Sequence, residues 1–271
     1  MSKILTIQDY SVYGQCSLTV ALPILSALSH ETIALPTAIL STHTSEFKGF
    51  YVKDLAPDFP KILEHWKKEN LKFDCLYTGY IGSTHIIDII KTIKGDFLKQ
   101  NSLVIVDPAF GDRGNLYPLF NQEYVDKMKE LTAIADIILP NITEACYLAD
   151  IPYVDNYDEK YVLDLLTKLE KLGHNKIILT NVSFDKNTTG VYSLIDDVYA
   201  YYKHEKISEG YHGTGDVFSS VFVGSYLKYN DIYKAIKKAA DFVHDSIKAT
   251  LGDENHWYGV KFEPELKKLI K

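Results

Sequence analysis

The amino-acid sequence predicts an α/β fold in which helices cover both faces of a mostly parallel β-sheet. Short apolar runs alternate with longer amphipathic stretches along the chain, as expected when each buried strand is followed by a covering helix. With 271 residues, of which 46% are apolar, the chain is long enough to enclose one large core. It contains no Ser/Gly linker, low-complexity tract or internal repeat, so we expect residues 1–271 to form one domain.

The periodicity of the apolar residues places the individual elements. Buried parallel strands are expected where short apolar runs are bounded by turn residues. The runs that meet this description are residues 4–7, 32–40, 73–78, 103–107, 137–139 and 176–180. Residues 188–202 instead predict two strands joined at Asp196-Asp197, a hairpin that would extend one edge of the sheet in antiparallel fashion. The helical period is clearest near the C-terminus, in the series Ile232, Ile236, Ala239, Val243 and Ile247.

The composition excludes several classes of protein. A formal net charge of −7 leaves no excess of Lys and Arg to neutralise nucleic-acid phosphates, so no nucleic-acid partner is expected. Cys16, Cys75 and Cys146 are far apart and lack metal-ligand spacing, and we expect them to be reduced and mostly buried. The apolar run at residues 4–7 is too short for a signal peptide, and no run approaches the ~18 apolar residues of a membrane span. We therefore expect a cytoplasmic protein that does not cross a membrane.

The most informative segment is a glycine-rich turn that leads into an amphipathic helix, Gly213-Thr214-Gly215-Asp216. Glycine permits backbone conformations that let consecutive amide N–H groups converge on one point. Because that point lies at a helix N-terminus, unpaired N–H groups and the helix dipole favour an anion there. Asp216 falls in the first helical turn, where its carboxylate could accept a proton from an incoming hydroxyl group. Capping of the helix is the structural alternative for Asp216, and this short motif alone does not decide between the two.

Acidic and amide side chains follow two other predicted strands. Asp107 ends one apolar run and Asp112 comes shortly after it, while Asn141 and Glu144 follow the next run. Ligands of open α/β sheets bind outside the carboxyl ends of the strands, so these side chains would point into one crevice. Oxygen ligands there suit Mg²⁺, which bridges phosphate oxygens and keeps several of its waters. Ordinary turn formation by the two aspartates and helix capping by Asn141 are the structural alternatives.

In this order, these segments resemble the ribokinase-like superfamily, and within it the pyridoxal kinase family, particularly its bacterial pyridoxamine/pyridoxal kinase branch. The resemblance extends over nearly the whole chain. It is carried by Ile7-Gln8-Asp9, Tyr13-Gly14, Ser41-Thr42-His43-Thr44, Thr78-Gly79-Tyr80-Ile81-Gly82-Ser83, Val106-Asp107-Pro108, Leu139-Pro140-Asn141-Ile142-Thr143-Glu144 and the glycine turn. It implies a three-layer α/β/α sandwich with a mostly parallel central sheet and a small antiparallel edge extension. It also implies a homodimeric enzyme that uses ATP to phosphorylate the 5′-hydroxymethyl group of a vitamin B6 vitamer, in pyridoxal phosphate salvage.

The resemblance also assigns expected roles to individual residues. The catalytic base, which also contacts the acceptor, is Asp216. The anion hole for the transferred phosphoryl group is formed by the backbone of Gly213, Thr214 and Gly215. The positions expected to serve ATP are Asp107, Asn141, Glu144, Thr180, Gly213 and Gly215. Mg²⁺ is expected at Asp107 and Glu144, with Asp112 reaching it through water, and a monovalent cation such as K⁺ is a further expected ion. The pocket for the pyridine ring is expected to be lined by Asp9, Thr44 and Tyr80.

Two positions near this pocket depart from the family pattern. Asp9 stands where many pyridoxal kinases carry serine, and Leu40 stands where they carry phenylalanine. A carboxylate favours a cationic partner, such as a protonated ring nitrogen or an aminomethyl group, and this favours pyridoxamine as the acceptor. The nearest alternative is a hydroxymethylpyrimidine kinase of thiamine metabolism, a relative that commonly carries cysteine at the position of Asp216. A catalytically silent B6-binding protein is an alternative of another class, which the intact glycine turn and acidic residues disfavour.

Overall fold

A nine-stranded sheet forms the centre of the structure, a computed structural model that describes residues 1–270. The strands of this sheet and of a small separate hairpin are β1 Lys3–Ser11, β2 Glu31–Leu40, β3 Val52–Asp54, β4 Phe73–Thr78, β5 Leu98–Val106, β6 Gly111–Asp112, β7 Asn115–Leu116, β8 Ile137–Ile138, β9 Lys176–Val182, β10 Thr188–Ile195 and β11 Val198–Glu205. The strand order of the large sheet is β11-β10-β9-β8-β5-β4-β1-β2-β3. The six strands from β9 to β2 pair in parallel, whereas β10, β11 and β3 are antiparallel at the two edges. The mostly parallel sheet with an antiparallel edge extension is therefore confirmed.

Helices cover both faces of this sheet. The α-helices of the described chain are α1 Leu18–Ala27, α2 Phe59–Lys68, α3 Thr84–Phe97, α4 Gln122–Thr132, α5 Ile142–Ala149, α6 Glu159–Lys171, α7 Thr214–Tyr229 and α8 Ile232–Thr250. Side chains alternate across β1, so Ile4 joins an apolar cluster with α1, α7 and α8. Leu5 points to the other face and joins a cluster with α2 to α6. This arrangement gives the three expected layers of helix, sheet and helix.

All six predicted parallel strands are present, and their observed ends show where the sequence pattern fell short. β4 has the predicted bounds, whereas β5 begins at Leu98 rather than at residue 103 and ends one residue before Asp107. Strands β3, β6 and β7 were not predicted, and each is only two or three residues long. Segments this short carry no apolar alternation, and all three residues of β3 are exposed.

The antiparallel hairpin turns where the sequence predicts it. Asp196 and Asp197 both have positive φ, 47° and 69°, as in the type I′ turn whose twist matches that of the flanking strands. Ile195 pairs with Val198 directly across the turn. The Asp196 N–H donates to the carbonyl of Asn175, which immediately precedes β9. The turn therefore lies at the end of the sheet opposite to the carboxyl ends of the parallel strands.

Helix α8 buries the face that its apolar period predicts. Its N-terminus is capped by Asp231, which accepts the Lys234 N–H at 2.9 Å. Ile236 and Ala239 are buried. The remaining members of the predicted series are partly buried and pack against the same cluster: Ile232, Val243 and Ile247.

Two expectations drawn from composition concern the cysteines and membrane helices. Cys75 and Cys146 are buried and Cys16 is half-buried, and each is a free thiol. These residues are thus isolated and mostly buried, as expected. Among residues 1–270, none of the helices combines the length and apolar character needed to cross a membrane.

Candidate active site

Three carboxyl groups from distant parts of the sequence meet beyond the carboxyl ends of the parallel strands. Asp9 lies near the end of β1, Asp107 follows β5, and Asp216 lies in the first turn of α7. The three groups are close enough to interact, because the charges of Asp107 and Asp9 both raise the pKa of Asp216. The acidic side chains expected to line the crevice therefore lie together at this edge of the sheet.

The turn formed by residues 213–215, which we call the anion loop, requires glycine at its first position. Gly213 has φ +79°, a left-handed conformation that other residues rarely adopt. A Cβ atom at this position would lie 1.7 Å from the carbonyl oxygen of Gln15. The anion loop is therefore packed backbone against backbone on the segment that precedes α1.

The rest of the anion loop presents free space and free N–H groups. The Thr214 hydroxyl donates to the Tyr211 carbonyl at 3.3 Å, which fixes the entry into α7. Gly215 is exposed, and a Cβ atom added there would have no atom of the described chain within 4 Å. The first N–H groups of a helix have no acceptor within it and lie at its positive end. The loop can therefore accommodate an anion such as a phosphoryl group.

The carboxyl group of Asp216 lies in surroundings that oppose its negative charge. Burial, followed by the charges of Asp107 and Asp9, raises its pKa to about 8, while a hydrogen bond from the Ser17 N–H acts in the opposite direction. A carboxyl group with a pKa near the ambient pH is well matched to general acid–base work. Gly213 occupies the N-cap position of α7, so the alternative of a capping Asp216 is not observed.

Asp107 is buried in the floor of the crevice. Its N–H donates to the Thr78 carbonyl at 3.0 Å, and its Oδ2 accepts the Ser219 hydroxyl at 2.6 Å. Burial raises the pKa of Asp107 to about 6 despite these contacts. Since Ser219 lies on the same face of α7 as Asp216, the helix connects two of the three carboxyl groups.

Asn141 and Glu144 form a reciprocal cap at the start of α5. Glu144 Oε2 accepts the Asn141 N–H at 2.9 Å, and Asn141 Oδ1 accepts the Glu144 N–H at 3.0 Å. Glu144 Oε1 also accepts the Phe110 N–H at 3.0 Å, and Asn141 Nδ2 donates to the Gly111 carbonyl at 2.8 Å. Burial and the charge of Asp107 raise the pKa of Glu144 well above its usual range. Both side chains thus join the loop after β5 to α5, and their oxygens already have partners.

Asp112 and Thr180 lie at the edges of the crevice. Asp112 is exposed in the β6–β7 hairpin, where its Oδ1 accepts the N–H of Arg113 at 2.9 Å and its Oδ2 lies 3.7 Å from Nε of the same residue. Arg113 is the only arginine in the sequence. Its Nη2 lies 3.6 Å from where a Cβ atom of Gly210 would be, just before the anion loop. The Thr180 N–H donates to the Pro140 carbonyl at 2.9 Å, beside the start of α5.

The crevice has an excess of carboxyl groups that lack cationic partners. Within the described chain, no Lys, Arg or His forms an ion pair with Asp9, Asp107, Glu144 or Asp216. No group of three or more His, Cys, Asp or Glu side chains in residues 1–270 could hold a metal ion by itself. Mg²⁺ still fits, because it commonly takes only one or two carboxylates from the protein and its other ligands from phosphate and water.

Two of the residues predicted to hold the acceptor are neighbours beside the carboxyl groups. The Asp9 N–H donates to the Tyr80 carbonyl at 3.1 Å, and Asp9 Oδ2 accepts the Ser11 hydroxyl at 2.8 Å. Burial raises the pKa of Asp9. The half-buried Tyr80 ring lies 5.0 Å from the ring of Phe120, and burial, followed by the charge of Asp9, raises the pKa of Tyr80.

Thr44 lies on a loop that is attached to the C-terminal segment. The neighbouring His43 is buried, its Nε2 lies 2.6 Å from the Tyr258 carbonyl, and its Nδ1 accepts the Ser45 N–H at 3.2 Å. This pattern places the proton on Nε2 of a neutral ring, and burial accordingly lowers the pKa of His43. The rings of Phe47, on the same loop, and Trp257, on the C-terminal segment, lie 4.7 Å apart with their planes tilted by 44°. The loop that carries Thr44 is thus held by contacts at both backbone and side chain.

Sequence reasoning missed three serines that contact the carboxyl groups. Ser219 follows Asp216 by three residues in a helix and Ser11 follows Asp9 by two in a strand, so both spacings place the pair on one face. These two contacts could have been predicted. Ser17 precedes a helix and resembles an ordinary cap in the sequence, so no sequence signal distinguishes it.

The fold and the sequence have close counterparts among known proteins. The family model described as phosphomethylpyrimidine kinase matches residues 22–260. A Bacteroides thetaiotaomicron protein, provisionally named phosphomethylpyrimidine kinase and crystallised with pyridoxal, is 37% identical with a TM-score of 0.93, covering 100% of this chain and 96% of that one. Pyridoxal kinase from Lactobacillus plantarum is 31% identical with a TM-score of 0.92, covering 100% and 97%. Pyridoxal kinase from Dictyostelium discoideum is 27% identical, covering 92% of this chain and 86% of that protein.

These similarities define the chain as a ribokinase-like α/β protein. It belongs to the phosphomethylpyrimidine kinase family, since the family model matches far more than half of its residues. Within that family it groups with the pyridoxal kinases, because its Lactobacillus relative exceeds 30% identity over the whole chain. The resemblance that the sequence motifs indicated is therefore confirmed.

Proposed function

We propose that this protein transfers the γ-phosphoryl group of ATP to the 5′-hydroxymethyl group of a vitamin B6 vitamer. One observation carries this proposal: three features lie together, namely an anion loop at a helix N-terminus, Asp216 with a raised pKa directly after it, and the neighbouring residues Asp9 and Tyr80. The names of the relatives support the same substrate class, since one is a pyridoxal kinase and another was crystallised with pyridoxal.

In the proposed reaction, Asp216 orients the acceptor hydroxyl and takes its proton. With ~15.7 for water as a stand-in for the alcohol and about 8 for Asp216, complete transfer before reaction would cost roughly 10 kcal/mol. Phosphoryl transfer usually has a loose transition state, so the proton can leave late, as the new P–O bond lowers the pKa of the hydroxyl group. Asp216 therefore acts as a positioned acceptor rather than as a strong base.

The charge that gathers on the phosphoryl oxygens is met by the anion loop. The N–H groups of Gly213, Thr214 and Gly215 are fixed before the reaction, and removal of one such donor costs ~3 kcal/mol in other enzymes. We propose that Asp107 and Glu144, with Asp112 through water, hold Mg²⁺, and that Asn141 and Thr180 contact ATP. Mg²⁺ supplies positive charge that neutralises the phosphates and orients them. The observation that favours a cation at this place is the buried carboxyl group of Asp107, which has no cationic side chain as a partner within the described chain.

The acceptor pocket supports a cationic ring or substituent. Asp9 would pair with a protonated ring nitrogen or an aminomethyl group, while Tyr80 offers an aromatic face to the ring. Thr44 completes the proposed pocket. Because a charged hydrogen bond outweighs a neutral one, we propose pyridoxamine as the preferred vitamer.

Steady-state phosphorylation with Mg-ATP of pyridoxal, pyridoxamine, pyridoxine and hydroxymethylpyrimidine tests this proposal. We expect kcat/KM to be at least about tenfold higher for a B6 vitamer than for the pyrimidine, a difference of ~1.4 kcal/mol. A higher kcat/KM for hydroxymethylpyrimidine than for every B6 vitamer would still show a kinase, but it would contradict the assignment of the acceptor pocket to a B6 vitamer. ATP turnover that does not depend on any acceptor, or vitamer binding without turnover, would instead support a silent B6-binding protein.

We further propose that the enzyme is a cytoplasmic homodimer that is activated by a monovalent cation such as K⁺. The dimer is supported by large exposed apolar side chains near the β2–β3 edge, including Ile39, Tyr51 and Val52. Sedimentation equilibrium at assay concentration is expected to give twice the chain mass of 30.8 kDa. Replacement of K⁺ by a bulky organic cation is expected to lower kcat, and unchanged turnover would remove the monovalent ion from the proposal.

A further inference from the structure

Ser17 has a backbone conformation that is unusual for any residue except glycine. Its φ and ψ are 53° and −126°, although it carries a Cβ atom, and it is 97% buried in a position directly before α1. Such conformations are strained and persist only where the surrounding structure enforces them. The strain at Ser17 therefore calls for a compensating interaction.

The side chain of Ser17 does not perform the role that its position predicts. It occupies the N-cap of α1, where serine normally accepts a helical N–H, but it makes no side-chain capping bond. Its hydroxyl group instead lies near Asp9 and acts to lower the pKa of that carboxyl group. The carbonyl of Ser17 accepts the Val20 and Ala21 N–H groups at 3.0 and 2.9 Å, so the helix start is anchored without the hydroxyl.

The backbone of Ser17 contacts a second carboxyl group. Its N–H lies near Asp216 and acts to lower the pKa of that carboxyl group. The preceding residues lie against the anion loop, since a Cβ atom on Gly213 would be 1.7 Å from the Gln15 carbonyl oxygen and 3.8 Å from Sγ of Cys16. One buried residue thus touches Asp9 on β1 and Asp216 on α7, from a segment packed on the loop between them.

The strained conformation makes both contacts available together. Rotation about the N–Cα bond sets the direction of the N–H relative to the Cα–Cβ bond, so the unusual φ of 53° decides which two groups they can face together. Relaxation of Ser17 to an ordinary helical or extended conformation would turn the peptide plane away from Asp216 or the hydroxyl away from Asp9. We propose that Ser17 is a positioning residue that holds the acceptor-binding carboxyl group and the proton acceptor at a fixed separation. This inference rests on the proposed B6 kinase function for the roles of Asp9 and Asp216.

A matched set of three variants tests this inference. Ser17→Ala and Ser17→Gly both remove the hydroxyl group, but only glycine adopts the native dihedral angles without strain. Ser11→Ala removes the other hydroxyl donor to Asp9 and leaves the Asp216 contact intact. The measurements are kcat, the KM values of vitamer and ATP, the Kd of the vitamer without ATP, and the thermal unfolding midpoint.

We expect all three variants to raise the vitamer KM and Kd by at least about fivefold, with the ATP KM within twofold. Ser17→Gly should keep a higher kcat and a higher unfolding midpoint than Ser17→Ala, because it retains the native direction of the N–H at no conformational cost. Unchanged vitamer KM and Kd in Ser17→Ala, with only a lower midpoint, would show a purely structural role. Equal kcat in the two Ser17 variants would remove the backbone contact from the inference.

The wild-type protein separates this inference from the proposed function. A wild type that phosphorylates no B6 vitamer overturns the proposed function, and the vitamer Kd values of the variants still decide whether Ser17 positions Asp9. If the wild type is active and the Ser17 variants have the same kinetics, the inference about Ser17 is overturned while the proposed function stands. If Ser17→Ala does not fold, as judged by circular dichroism, Ser17→Gly and Ser11→Ala provide the comparison.

Discussion

Asp216 shows how an aspartate side chain can acquire a pKa suited to proton transfer without a cationic side chain beside it. Burial of the carboxyl group is the larger cause that favours its neutral form, and the charges of Asp107 and Asp9 add to it. The Ser17 N–H is the contact that favours the charged form. The balance leaves the group able to gain or lose its proton near neutral pH, which an exposed aspartate with its ordinary pKa could not do.

Replacement of Asp216 by Asn is expected to lower kcat by at least ~100-fold, because the amide cannot accept the hydroxyl proton. The KM for ATP should change by less than about threefold, since the anion loop and Asp107 remain. Asp197→Asn, in the hairpin turn at the opposite end of the sheet, is the matched control and should keep wild-type kinetics. Steady-state kinetics of both purified variants provide the measurement, and substantial turnover in Asp216→Asn would exclude this carboxylate as the base.

Asp9→Ser tests the preference for a cationic acceptor. A hydrogen bond with a charged partner contributes ~1.5–3 kcal/mol, so the loss of the carboxylate should lower kcat/KM for pyridoxamine by roughly 10- to 100-fold. The loss for pyridoxal should be smaller, because its 4′ substituent carries no positive charge. Parallel assays of the two vitamers give the ratio directly. An unchanged ratio would remove the basis for a pyridoxamine preference.

At the scale of single residues, the chemistry of the site was easier to predict than its contacts. The acidic residues at the strand ends could be predicted as site residues because ligands of open α/β sheets bind at the carboxyl ends of the strands. Glu144 was assigned to ATP and Mg²⁺, but the structure shows its two oxygens accepting three backbone N–H groups. The Asn-x-x-Glu spacing of a capping box was present in the sequence and could have indicated this second use.

Among the elements of the structure, the anion loop is the one whose sequence is most restricted. At Gly213 a methyl group would lie 1.7 Å from the Gln15 carbonyl oxygen, and the substituted residue would have to adopt a left-handed backbone conformation. At Gly215 a methyl group would enter open space. The two glycines of the same motif therefore serve different purposes. Gly213 is required by packing, while Gly215 leaves room for a ligand.

Gly213→Ala is expected to lower the unfolding midpoint by at least about 4 °C, which corresponds to the loss of roughly 1–2 kcal/mol in a chain of this size. Its kcat should fall at least ~100-fold, because the clash displaces the anion loop. Gly215→Ala should unfold at or above the wild-type temperature, since alanine favours a helix by ~1 kcal/mol over glycine. Thermal unfolding monitored by circular dichroism compares the pair. Equal midpoints would contradict the packing argument.

The elements that sequence could predict are those with an internal pattern. The parallel strands are apolar throughout because both faces are covered, and the Asp-Asp turn has the chemistry that positive φ requires. The β6–β7 hairpin has no such pattern. It exists because the Gly111 and Gly114 N–H groups are tied to Glu144 and Thr143 of α5, contacts that only the assembled fold provides.

For the molecule as a whole, the carboxyl cluster makes stability depend on pH. In the native state the pKa is raised to about 8 for Asp216 and to about 6 for Asp107, against 3.8 for an ordinary aspartate. Between about pH 4 and pH 8 these two groups therefore bind more protons in the native state than in the unfolded chain. Their contribution to stability falls as the pH rises through this window, because the slope follows the difference in bound protons.

The ligand-free Asp216→Asn variant should consequently be more stable than the wild type at alkaline pH. We expect its unfolding midpoint to exceed that of the wild type by at least about 3 °C at pH 8, equivalent to ~1 kcal/mol. The difference should shrink as the pH is lowered from 8 towards 4. Thermal unfolding at constant ionic strength across this range provides the measurement. A difference that is independent of pH would show that Asp216 titrates as it does in the unfolded chain.

The order of the site residues along the chain has a consequence for biosynthesis. Asp9, on a strand that lies between β2 and β4, is synthesised before the anion loop, which follows roughly 200 residues later. At about 5–20 residues per second, translation separates them by roughly 10–40 s. During that time the nascent chain contains Asp9 but lacks Asp216, the proposed proton acceptor, and the anion loop, the proposed phosphate site. With these proposed roles, a stalled or prematurely terminated polypeptide cannot consume ATP.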